Sequence, residues 1–172
     1  MFASLLFAIV LAQAQVAAAP TPVPDLKPDL TPLMYFSGTW TCHQMLRGKD
    51  RPDTSTTTME LSDRWIKSHD LAPPFDQFRN RTVTSDTYYT YDPQMKKFVS
   101  VNLDDFGGYG IASSPGWNGN TMVWTDRSAL DGSVGTVTIT KVSDSEYNWA
   151  FKGTDGKGKP QPPGNGSCKK SG

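Results

Sequence analysis

From residue 38 onward, apolar and β-branched side chains recur at every second position rather than every third or fourth. That spacing lines one face of an extended strand and would scatter around a helix. Thr57, Met59 and Leu61 alternate with Thr58 and Glu60, and Val99, Val101 and Leu103 alternate with Phe98, Ser100 and Asn102. Met122 and Trp124 share a face opposite Val123; Tyr147, Trp149 and Phe151 share another. The pattern predicts strands over 38–46, 56–61, 65–71, 82–91, 97–103, 111–114, 121–125, 134–142 and 146–152. Turn chemistry falls between them, at Ser62-Asp63, Asp92-Pro93, Asn118-Gly119, Asp131-Gly132 and Ser143-Asp144-Ser145, where short polar side chains and glycine admit the required backbone angles. The polar run 47–54 and the segment 72–80, broken by Pro73-Pro74, read as loops. Gly107, Gly108 and Gly110 mark a kink or bulge, and everything from Gly153 on reads as a tail. Eight or nine short antiparallel strands with turns about every 8 to 12 residues describe an all-β barrel or sandwich. The barrel is preferred because closure leaves no exposed strand edge.

The entry into this array is residues 33–42, LMYFSGTWTC. Gly38 supplies a backbone able to bend, Trp40 a large apolar surface, and Cys42 falls on the same strand face as Trp40. A strand beginning F-x-G-x-W ahead of an antiparallel meander resembles the calycin group, the lipocalins and their small bacterial relatives. The GTWTC at 38–42, the YDPQMKKFVSVNLDDFGGY at 91–109 and the late Cys168-Lys169 look like a family of exported bacterial proteins known only as a domain of unknown function. The resemblance implies a lipocalin-like barrel in which Trp40 closes one end beside an arginine from a late element, for which Arg127 is the candidate. The chain departs from the lipocalin plan in showing no helical pattern after its last strand. It also lacks the C-terminal histidine that related haem-binding barrels use as an axial ligand.

Length and charge narrow the picture. With 172 residues the chain fits one domain, and 17 basic against 17 acidic residues give no net pull toward nucleic acid or anionic lipid. Residues 1–19 combine an apolar run with Ala17-Ala18-Ala19, the layout of a secretory signal. Prolines 20, 22, 24, 28 and 32 make 20–32 a stiff spacer. The domain then spans 33–158, followed by a Gly/Pro/Lys tail over 159–172, and the expected location is secreted or periplasmic. Two cysteines, Cys42 and Cys168, are most simply a disulfide in an exported chain; two separate thiols are the alternative. Beyond the terminal segment no apolar run reaches the roughly 20 residues of a membrane helix. Asn80 and Asn165 stand in glycosylation sequons, which matter in a eukaryotic secretory host.

Candidate chemistry is sparse. His43 and His69 are the two histidines, outside any metalloprotease, nucleophile-elbow or phosphate-loop motif. His69 and Asp70 are adjacent, so on a strand they point to opposite faces. Asp104-Asp105 offers a fraction of a calcium shell, and a solvated turn is the simpler account; no metal and no cofactor is called for. The aromatic set is richer, with five Trp, six Tyr and eight Phe. Apolar-ligand pockets are lined by such side chains. Tyr88, Met122, Trp124, Tyr147 and Trp149 are the candidate ligand-binding residues, core packing being the competing account, with Gly38, Trp40 and Arg127 as structural residues. The expected function is non-catalytic binding of a small apolar or amphipathic molecule. The alternatives are an isomerase or hydrolase using His69 or His43 as base, and an envelope interaction module with a filled barrel.

Overall fold

The period-two pattern is realised as a closed ring of antiparallel strands. The computed structural model describes residues 27–46, 49–74, 80–128 and 132–171. The expected secretory segment, most of the proline-rich spacer, residues 75–79 of the loop and Asp131 of one expected turn lie outside the described residues. A 3-10 turn at Thr31–Phe36 precedes eleven strands: β1 Gly38–Leu46, β2 Lys49–Glu60, β3 Trp65–Ala72, β4 Val83–Asp92, β5 Lys97–Asp104, β6 Tyr109–Ser114, β7 Trp117–Asn118, β8 Thr121–Ser128, β9 Val134–Ser143, β10 Glu146–Thr154 and β11 Gly164–Lys170. Ten of them form the barrel. Each pairs with its sequence neighbour, β6 pairs past β7 with β8, and β11 returns to pair with β1. The two-residue β7 forms a hairpin with the start of β8, Trp117 opposite Met122 and Asn118 opposite Thr121, so the turn falls at Gly119-Asn120, one residue on from the expected Asn118-Gly119.

Ten barrel strands exceed the eight or nine expected, and the eight of a lipocalin. Strand β11 is the added one, and β2 runs further than the expected 56–61. Strand β2 begins at Lys49, inside the stretch read as a loop, because Arg51, Asp53, Ser55 and Thr57 face a polar interior, leaving no apolar face to recognise. Pro52 is tolerated there because β3 pairs only with Thr54 to Glu60, so no ladder bond is lost on that side. Strand β11 lies in what reads as the tail. Its Gly166 is needed for close approach: a Cβ there would stand 2.5 Å from the His43 carbonyl oxygen and 2.6 Å from Trp149 Nε1. Low strand propensity is accepted so that the Trp149 ring can lie across the strand.

One end of the barrel is plugged. Proline at its first positions and an Asp29 carboxylate accepting from the Thr31 N–H at 3.0 Å start the 3-10 turn. Leu30 and Leu33 then bury against Ile66, Phe98, Met122 and Trp124. Indole N–H groups pin this plug at both ends, Trp117 donating to the Pro32 carbonyl at 2.7 Å and Trp40 to the Phe36 carbonyl at 2.8 Å. The Tyr35 hydroxyl sits 2.8 and 2.9 Å from the carbonyls of Ser143 and Glu146. Gly38, at φ +99°, turns the chain from plug into β1, a conformation an L side chain resists.

The cysteines close the ring at its seam. Cys42 and Cys168 are directly opposed on β1 and β11 with Cα atoms 4.0 Å apart, and they form the disulfide. Among the described residues the cation over Trp40 is Lys170, whose Nζ lies 5.5 Å from the ring centre. The backbone of Arg127 belongs to β8; its side chain lies outside the described residues. Among the described residues no helix is long and apolar enough to cross a membrane.

Candidate functional site

Strand alternation carries two kinds of side chain into the barrel interior. From β1 and β2 come Gln44, Arg51, Asp53 and Ser55, and from β3 and β4 come Ser68, Asp70 and Ser85. Facing them are Trp40, Tyr89, Trp124, Tyr147 and Trp149. Together these walls enclose a cavity of about 340 Å³, which reaches from Leu33, Phe36 and Trp40 at the plug to Arg51, Ala72 and Val83 near the other end. Tyr89 and Trp124, in edge contact with centroids 5.5 Å apart, divide it from a second lobe of about 370 Å³ lined by Ser100, Asn102, Asp104 and Asp126.

The polar wall is organised by the β2–β3 register. Asp70 stands opposite Ser55, which places Asp53 on the diagonal one pleat away, within reach of a common small group. Ser55 Oγ and Ser68 Oγ are 2.8 Å apart, and Ser68 Oγ donates to Asp70 Oδ1 at 3.5 Å. Gln44 Nε2 donates to Asp53 Oδ2. Burial pushes the Asp53 carboxyl up to about 6, against the Gln44 hydrogen bond; the Asp70 charge adds to the rise, and Arg51 and His43 oppose it. Burial also raises Asp70, opposed chiefly by the Ser55 hydrogen bond. Tyr89 and Tyr147 are raised by burial well beyond the ordinary phenol range, so both remain neutral donors.

A raised carboxyl has a thermodynamic consequence that can be checked. Folded Asp53 holds its proton up to about pH 6 whereas the unfolded group releases it near the ordinary aspartate value of 3.8. The folded chain therefore binds more protons between these values, and stability falls as pH rises through that window and stays lower above it. Discounted for partial solvent access, the cost above pH 6 is about 1–2 kcal/mol. In urea unfolding, Asp53→Asn is expected to exceed the parent stability by that amount near pH 7.5, the gap closing toward pH 4.

The sequence-derived candidates divide. Trp124, Tyr147 and Trp149 line the cavity. Tyr88 does not: it lies on the outer wall with Lys67 Nζ 5.7 Å from its ring centre, and its neighbour Tyr89 takes the inward position. Met122 shares the inward face of Trp124 but is 0% exposed, sealed within the plug by Leu30, Leu33 and Phe98 rather than facing either lobe. Arg51, Asp53 and Asp70 are cavity residues that no motif announces.

Both histidines face outward. His43 Nδ1 is 2.9 Å from Asp50, and His69 Nδ1 is 2.6 Å from Asp86, which also takes Lys67 at 2.9 Å. The opposite facing of His69 and Asp70 is as the alternation requires, and neither imidazole reaches the cavity. In the Asp104-Asp105 turn, Asp104 accepts from the N–H groups of Phe106 and Gly108 at 2.9 and 2.8 Å. Asp105 is held by Arg81 and by Thr84 Oγ1. Both carboxylates are thus committed to the turn. Among the described residues no group of three or more His, Cys, Asp or Glu side chains is placed to hold a metal ion.

No family model matches the chain, and no curated protein matches it. Solved structures similar to it include EF1p2_mFAP2b bound to DFHBI, at 11% identity and TM-score 0.40, covering 81% of this chain and 97% of that one. Another is a redesigned β-barrel, mFAP1, bound to DFHBI, at 13% identity and TM-score 0.33, covering 80% and 96%.

Proposed function

We propose that this protein binds a small amphipathic molecule reversibly inside its barrel, without chemistry, and does so outside the cytoplasm. One observation carries the reading: a cavity of about 340 Å³ with an aromatic wall facing a polar one. A barrel serving only as a scaffold gains by filling its interior, since close packing is what stabilises cores. Here stability is instead spent on a buried arginine and two carboxylates. Aromatic faces would take the apolar body of the ligand and the serines, Gln44 and the charged groups its polar end, as in ligand pockets generally. The disulfide supports export, because such bonds persist in oxidising compartments.

A second reading rests on Asp53. A carboxyl held at about 6 within a cavity is suited to general acid–base work, so an enzyme built on Asp53 and Asp70 replaces the histidine-based alternative, whose bases face solvent. Native mass spectrometry of the protein taken from its own host separates the readings. A binder is expected to carry one unaltered molecule per chain, lost in a folded Trp124→Ala/Trp149→Ala variant. A bare parent mass, or unchanged retention by that variant, would overturn the assignment of this cavity; conversion of the released molecule on re-addition would select the enzyme.

A further inference from the structure

The charge inside the cavity specifies the ligand class. We propose, resting on the cavity reading above, that the bound molecule is an organic cation, an ammonium group on an apolar or aromatic body, seated with its nitrogen between Asp53 and Asp70. Among the described lining residues Arg51 is the one cation and Asp53 and Asp70 are the anions, so with both carboxylates ionised the chamber holds one excess negative charge. The two acids come from adjacent strands on a diagonal of the same inward face, the spacing at which one ammonium can contact both. Each is held above the ordinary carboxylate range by burial, and the Asp70 charge adds to the rise of Asp53. A cation relieves that repulsion; an anion would add a third negative charge to it.

The facing wall suits the same class. Trp40, Tyr147 and Trp149 line the chamber, and ammonium groups are attracted to aromatic side chains when desolvated. Nor does Arg51 favour an anionic guest. It lies on the same strand face as Asp53, two residues away, and its charge already pulls the Asp53 carboxyl downward, so its field is partly spent within the wall. The neutral polar groups, Ser55, Ser68 and Gln44, are already linked to one another or to the acids, which orients the carboxylates without neutralising them.

The test uses one shape with three headgroups: 4-phenylbutylammonium, 4-phenylbutanol and 4-phenylbutyrate, titrated at about pH 7.5 and followed by tryptophan fluorescence. The ammonium is expected to bind at least about tenfold tighter than the alcohol, and the carboxylate weakest. In Asp53→Asn/Asp70→Asn, and more mildly in each single variant, the ammonium should lose its advantage over the alcohol. Equal binding of alcohol and ammonium by the parent overturns the charge assignment and leaves the cavity reading intact. Tightest binding of the carboxylate overturns it in favour of Arg51. Failure of all three to bind the parent removes both readings.

Discussion

Replacing Cys42 and Cys168 together by alanine is expected to lower stability by about 3–5 kcal/mol against the oxidised parent, read from urea unfolding in which the slope steepens because the denatured chain loses its cross-link. The magnitude follows from where the bond sits. It spans 126 residues and joins the first barrel strand to the last. Every other neighbour pair in the ring except β6–β8 is a hairpin connection, so the β1–β11 seam is the closure with the largest loop entropy to overcome. Chain-entropy reasoning gives about 4.7 kcal/mol for a loop near 100 residues and somewhat more here, with measured values commonly lower. Alanine is the right replacement because both sulfurs are buried against Trp40, Tyr147 and Trp149, where serine would add a hydroxyl without an assured partner. A loss below about 1 kcal/mol would show that the ladder alone holds the seam.

How much of this was legible beforehand depends on which face each residue serves. Strands whose two faces differ in character were readable, as were the hairpin at Asn118-Gly119 and the cysteine pair. The first half of strand β2 was not, because Asp50, Pro52 and Thr54 on its outer face are no more apolar than Arg51, Asp53 and Ser55 on its inner face. A period-two signal vanishes when both sides are polar, and the run then looks like loop. Strand β11 was hidden by glycines that exist to admit a neighbouring ring. Parity misled at Tyr88: tyrosines at 88, 89 and 91 populate both faces of β4, so composition could not say which one turns inward. At Met122 the face was right and the depth was not, since proximity to the plug is set by the 3-10 turn packing beneath it.

The same facts explain why the site was the least legible part. A cavity wall made of serines and two aspartates breaks the rule that interiors are apolar, and sites are where such rules are expected to fail. The barrel sustains this wall by separating duties. Leu30, Leu33, Ile66, Phe98 and Met122 supply an apolar plug at one end, and the disulfide fixes the seam beside the polar chamber.

Trp40 is where plug and chamber meet, and Trp40→Ala is expected to cost about 3 kcal/mol, the low end of the range for deleting a buried tryptophan. The residue is 1% exposed, with its ring centre 4.9 Å from Tyr147 and 5.6 Å from Tyr35, so the loss of contact is large. The vacated space, however, opens onto the existing chamber, whose polar groups can accept water. That wetting spares part of the penalty a sealed apolar void would carry. Trp40→Phe separates the contributions: it keeps an aromatic surface but leaves the Phe36 carbonyl without its indole donor, for an expected loss of about 1–2 kcal/mol. Urea unfolding of the three proteins measures both steps. If alanine costs 5 kcal/mol or more, the space behind Trp40 stays dry and the chamber ends short of the plug; if phenylalanine costs nothing, the indole hydrogen bond plays no part in holding the 3-10 turn across the barrel mouth.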